Sequence, residues 1–161
     1  MQFDYVYPGS ALEVTQTPPD CTFERTWGWL RVHNTVANGR LGLKYFTAHV
    51  PIVLSMDRPC VLESVAIRFE QDEVPGSVAH LREFAVVTQP DVGNIIPVIA
   101  QYGLRLNNSP IEFDQPTADV LSGFIVVQMQ WKLEAVGHMN IHAIHVKIAS
   151  RPGVIEESTS K

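Results

Sequence analysis

The sequence predicts an all-β chain, a two-sheet antiparallel β-sandwich or jelly roll of about eight strands. Three observations predict it. Apolar residues alternate with a period of two along the best-defined runs, Val and Ile are abundant, and Pro, Gly and Asn fall between the apolar stretches. No segment carries the periodicity of a three-turn helix; residues 77–85 have room for one short turn.

Residues 1–20 contain Pro8-Gly9-Ser10 and Pro18-Pro19 and are expected to form an irregular N-terminal arm. Its Phe3, Tyr5, Val6 and Tyr7 are available to pack on the sandwich or on a neighbour. The sandwich domain is expected over 21–150. Strands are placed near 22–33, 43–54, 59–70, 80–88, 94–100, 102–106, 120–133 and 139–149. Ala37-Asn38-Gly39, Pro75-Gly76, Pro90-Asp91-Val92-Gly93, Asn107-Asn108-Ser109-Pro110 and Val136-Gly137 supply turns. In 59–70, Val61, Glu63, Val65, Ile67 and Phe69 form a mostly apolar face, and Leu62, Ser64, Ala66, Arg68 and Glu70 a mixed one, as in a half-buried strand. In 120–133, Ile125, Val127, Met129, Trp131 and Leu133 share one face; Phe124, Val126, Gln128, Gln130 and Lys132 share the other. Residues 151–161 read as a flexible, solvated tail.

A length of 161 residues suits one domain. The chain is 45% hydrophobic and 18% charged, which supports a packed core and argues against disorder. Its net charge of -5 and pI near 5.6 exclude a basic nucleic-acid binder. No run approaches the roughly 18 apolar residues of a transmembrane helix, so no membrane partner is expected. Met1-Gln2-Phe3-Asp4-Tyr5 has an acid where a signal peptide carries basic residues, which makes the cytoplasm the expected location. Cys21 and Cys60 have no CxxC partner and are expected to be reduced, Cys60 as a small core residue. Asn107-Asn108-Ser109 reads as a turn rather than a glycosylation site.

The order of His49-Val50-Pro51-Ile52, Arg58-Pro59-Cys60-Val61-Leu62, Ala79-His80-Leu81-Arg82-Glu83-Phe84, Leu104-Arg105-Leu106-Asn107 and Leu121-Ser122-Gly123-Phe124-Ile125-Val126 resembles a family of small, functionally uncharacterised bacterial all-β domains. The resemblance spans about residues 45–149. It departs at Asp91-Val92-Gly93, where that family usually has an Asp-Gly turn. It implies a sandwich and brings no catalytic residues.

HExxH, GxSxG, P-loop, GxGxxG and EF-hand patterns are all absent. His138, His142 and His145 lie close together. On a regular strand 138 and 142 share a face and 145 points away, and if Ile144, Val146 and Ile148 face inward, His142 meets the core. One buried histidine and two at the surface or an interface are therefore expected. Neither a metal site nor a cofactor is expected, since His33, His49 or His80 would have to complete one. Glu70, Asp72 and Glu73 sit beside a Pro-Gly turn and read as solvated charge.

The most unusual stretch is Phe23–His33. Read as one strand, Phe23, Arg25, Trp27, Trp29, Arg31 and His33 share a face, opposite Thr22, Glu24, Thr26, Leu30 and Val32. Trp27, Trp29, Arg25, Arg31 and His33 are the candidate ligand-binding residues, because indoles with guanidinium groups stack on flat ligands or anchor a partner protein. The competing reading puts both indoles in the core, with the Arg side chains reaching out to water.

The function expected from these features is a non-catalytic ligand-binding or protein-interaction module. A motif-less isomerase or cyclase enclosing an apolar small molecule in the sandwich is one alternative. A structural subunit exchanging its N-terminal arm between protomers is another. Phe124 and Val126, on the second face of their strand, and the aromatic arm favour a homodimer.

Overall fold

A computed structural model describes residues 2–37, 44–54, 60–75, 77–89, 96–102, 111–112 and 123–150. Its strands are β1 (Gln2–Pro8), β2 (Glu13–Gln16), β3 (Cys21–Arg25), β4 (Leu30–Asn34), β5 (Lys44–Leu54), β6 (Cys60–Gln71), β7 (Ala79–Gln89), β8 (Ile96–Tyr102), β9 (Ile111–Glu112), β10 (Gly123–Leu133) and β11 (Gly137–Ser150). The first sheet runs β3-β4-β11-β6-β9, with β1 also on β11; the second runs β2-β5-β10-β7-β8. Every pairing is antiparallel. The two sheets pack face to face, so the expected sandwich is what the chain forms. Among the described residues no helix is long and apolar enough to cross a membrane.

The N-terminal segment is not irregular. Its Gln2–Pro8 run alternates exposed and half-buried residues, and β1 adds to β11 in the first sheet. A short 3-10 turn, Gly9–Ala11, then carries the chain across, and β2 joins β5 in the second sheet. Tyr5 and Tyr7 pack against the core of their own chain. The short helical turn expected near 77–85 is replaced by strand from Ala79, after Ser77 takes a left-handed φ of 64°. The turns at 38–39, 90–93 and 107–110, all but Tyr102 of the strand expected at 102–106 and the tail 151–161 lie outside the described residues, as do the side chains of Cys60 and Phe124.

β1 and β4 lie end to end along one edge of β11. β1 pairs with 143–149 and β4 with 137–141. Gly9 fills the junction: a Cβ there would stand 1.7 Å from the Ile141 carbonyl oxygen and 3.1 Å from the Leu30 nitrogen. No side chain fits.

Between the sheets the core is continuous. Leu30, Val32, Leu62, Val65, Ile67, Met139, Ile141, Ile144, Val146 and Ile148 face Phe46, Ala48, Leu81, Val86, Ile125, Val127, Met129, Trp131 and Leu133. Four aromatic rings bridge the layers. Phe23 meets Phe46 at 5.3 Å between centroids, Phe46 stacks on Trp131 at 6.3 Å, and Phe69 meets Trp131 edge-on at 5.0 Å.

Candidate binding face

The stretch Phe23–His33 is a hairpin, not one strand. Thr26-Trp27-Gly28-Trp29 turns the chain. The Thr26 N–H donates to the Trp29 carbonyl at 3.0 Å, and the Trp29 N–H to Thr26 Oγ1 at 3.4 Å. The register pairs Arg25 with Leu30 and Phe23 with Val32, so odd residues of β3 share a face with even residues of β4. The expected row therefore splits. Phe23 packs on the core, Arg25 donates from Nη2 to the Leu12 carbonyl at 3.0 Å, and Trp27 is fully exposed at the hairpin tip. Trp29, Arg31 and His33 stay together on the outer face, where Trp29 is 37% exposed.

A bulge in β11 builds the other half of this face. Ile141 pairs with Phe69 and Ala143 with Arg68, leaving His142 as the extra residue. Inward positions switch from Met139 and Ile141 to Ile144, Val146 and Ile148. This overturns the expectation that His142 meets the core, while His145 points away from it as the alternation predicts. His138, His142 and His145 all lie on the outer side, and none is buried.

Three polar rows result. In the first, the rings of His33 and His138 stack at 4.2 Å and 13°, and Asp72 Oδ2 accepts the His138 backbone N–H at 2.8 Å and lies 3.1 Å from its Nδ1. In the second, Arg31 Nε donates to Asn140 Oδ1 and Asn140 Nδ2 donates to Glu70 Oε1, each at 3.0 Å. In the third, the Trp29 indole meets His142 edge-on at 5.5 Å, and His142 Nε2 lies 3.4 Å from Glu70 Oε1. The Asn140 hydrogen bond, with help from His142 and Arg31, holds the Glu70 carboxyl below its ordinary range. The His138 backbone N–H, then its imidazole, does the same for Asp72.

Glu70 and Asp72 were expected to be idle solvated charge, and Asn140 was not singled out. The signal for them lies in β11 itself. Its apolar phase is odd before His142-Ala143 and even after, which marks an inserted residue and turns 138, 140 and 142 outward together.

The remaining chemistry is dispersed. Among the described residues no three His, Cys, Asp or Glu side chains converge as a metal site. Glu13 pairs with His49 and Glu134 with His80, in the other sheet. Cys21 is a free, buried thiol pushed up to about 11 by burial, against the pull of Lys44, and is a poor nucleophile. An open cleft of about 350 Å³ lies along Gln16–Asp20, Lys44 and Tyr45. Its charges are already paired, Lys44 Nζ with Asp20 at 2.7 Å. No family model matches the chain, and no curated protein matches it.

Proposed function

We propose that this chain is a non-catalytic binding module whose ligand lies on the outer face of the first sheet. One observation carries the reading: strand register sets Trp29, Arg31 and His33 beside His142, Asn140 and His138 on an open surface. Pre-positioned planar polar groups next to a half-exposed indole make a site without a cavity. The enzyme alternative needs an enclosed apolar pocket. The Trp131 and Met129 that would line one are 0% exposed and packed as core. The arm-exchange alternative is less favoured because β1 and β2 pair within their own chain. A homodimer has less to cover for the same reason, since Tyr5 and Tyr7 are already packed. A cytoplasmic location with reduced cysteines belongs to the same reading.

The test removes the ledge. Trp27→Ala and Trp29→Ala are expected to shift stability by no more than about 0.5 to 1 kcal/mol, as surface substitutions do. They are also expected to abolish the hits that wild-type protein gives in a thermal-shift ligand screen. A core-sized loss of roughly 3–5 kcal/mol in the urea titration of Trp29→Ala, with wild-type indoles shielded from acrylamide, would make these residues structural and end the proposal.

A further inference from the structure

Resting on the binding-face reading, we infer that the ligand is a neutral carbohydrate, its ring packed on the indoles and its hydroxyls paired with the Arg31–Asn140–Glu70 row.

Charge comes first. The outward residues of the rows include Arg31 and Arg68 and, against them, Glu24, Glu70 and Asp72. The signs are interleaved: Glu24 stands opposite Arg31 in register, and Glu70 joins it through Asn140. A phosphate or acidic polymer arriving here meets two carboxylates on β6 and its extension, and a cationic ligand meets two guanidinium groups. Neither gains the one-signed field that recruits ions. A neutral ligand is not penalised.

Hydrogen-bonding character comes second. Donors and acceptors stand side by side: the Arg31 guanidinium donates, the Asn140 amide both accepts and donates, Glu70 at the end of their row accepts, and Asp72 accepts in the neighbouring row. A hydroxyl donates and accepts at once, so a row of hydroxyls matches such a mixture. The row crosses β4, β11 and β6, two strand spacings or about 10 Å, the scale of a disaccharide.

The aromatic part comes third. Trp27 is fully exposed and Trp29 is 37% exposed, so each presents ring surface to solvent. The apolar C–H face of a sugar ring packs on an indole while its rim of hydroxyls stays wet, which suits the mix of indole and polar rows. A protein partner would call for a dry apolar centre. Here the middle of the face is the Arg31–Asn140–Glu70 row.

The experiment is affinity electrophoresis of the whole chain in gels containing hydroxyethylcellulose, xylan, glucomannan, mixed-linkage glucan or starch. Calorimetry with the matching hexaoses follows, and heparin and polygalacturonate serve as acidic controls. The expected result is retardation by at least one neutral glycan. The Kd is expected to rise about tenfold or more in Trp29→Ala, Trp27→Ala and Asn140→Ala, with unchanged urea midpoints. Trp27→Ala keeps the test sound, because a fully exposed side chain has no fold to disturb. No retardation by any neutral glycan, or retardation insensitive to Trp27 and Trp29, overturns the inference. Retardation only by heparin or polygalacturonate, lost in Arg31→Gln, overturns the ligand class and leaves the binding face standing. A collapsed urea midpoint in Trp29→Ala brings down the face and the ligand together.

Discussion

Trp131 and Trp29 set the interior of this molecule against its outer face. Trp131 sits between the sheets at 0% exposure, held by Phe46 and Phe69, and its buried indole N–H has no hydrogen-bond partner among the described residues. Trp29 lies on the first sheet at 37% exposure, with His142 at its edge and polar rows beside it. The interior indole serves by its bulk, and its one polar group finds no partner among the described residues. The outer indole is kept half-wet among groups already fixed by hydrogen bonds. A side chain of one type thus serves cohesion in one place and is available for recognition in the other.

Trp131→Ala should break the interior most severely, by about 3–5 kcal/mol, read as a lower urea midpoint with an unchanged slope. Trp131→Phe sharpens the point. It removes the buried N–H along with part of the bulk, so it should cost clearly less than the alanine variant. Next comes Gly9→Ala. The new methyl would overlap the Ile141 carbonyl and force β1 or β4 off β11, at a cost of about 1–3 kcal/mol or more. Amide exchange should quicken along Gln2–Pro8 before it does in the core.

The smallest effect is electrostatic. Lys132, and secondarily His80, hold the Glu134 carboxyl below its ordinary range, and Glu70 and Asp72 are depressed likewise. Depressed carboxylates stabilise the fold fully above their unfolded pKa of about 4–4.5. That contribution is lost as pH falls through the lower folded values. Thermal midpoints should therefore drop on acidification below about pH 4.5. Glu134→Gln should flatten that drop modestly, because the pair is partly solvated.

The interior was legible in the sequence because alternation is a direct record of burial. Ile125, Val127, Met129, Trp131 and Leu133 face inward as their spacing says. The outer face was legible only in part. Trp29, Arg31 and His33 were found because they occupy alternate positions leading into and along β4. Arg25 falls on the opposite side from them and Trp27 stands at the hairpin tip, since numbering parity runs unbroken through a four-residue turn while the faces change partners. Glu70, Asp72 and Asn140 join the face only through pairings that span 70 residues or so and one inserted residue, which no local pattern encodes. The strands at 2–8 and 13–16 were missed because Pro8-Gly9 and Pro18-Pro19 read as irregular chain. The prolines in fact sit at the strand end and beyond it.

Because β1, β4 and β6 all pair with β11, the first sheet has no middle until residues 137–150 exist. A nascent chain on the ribosome is expected to carry the β3–β4 hairpin and β6 as unfinished pieces, their inward faces uncovered. Only β11, which follows every other described strand, brings both sides together, with β1 closing onto it from residues 2–8. Such long-range closure is slow compared with local pairing. The delay is expected to appear as protease sensitivity that persists in ribosome-bound chains ending before Gly137 and vanishes once residue 150 has cleared the exit tunnel.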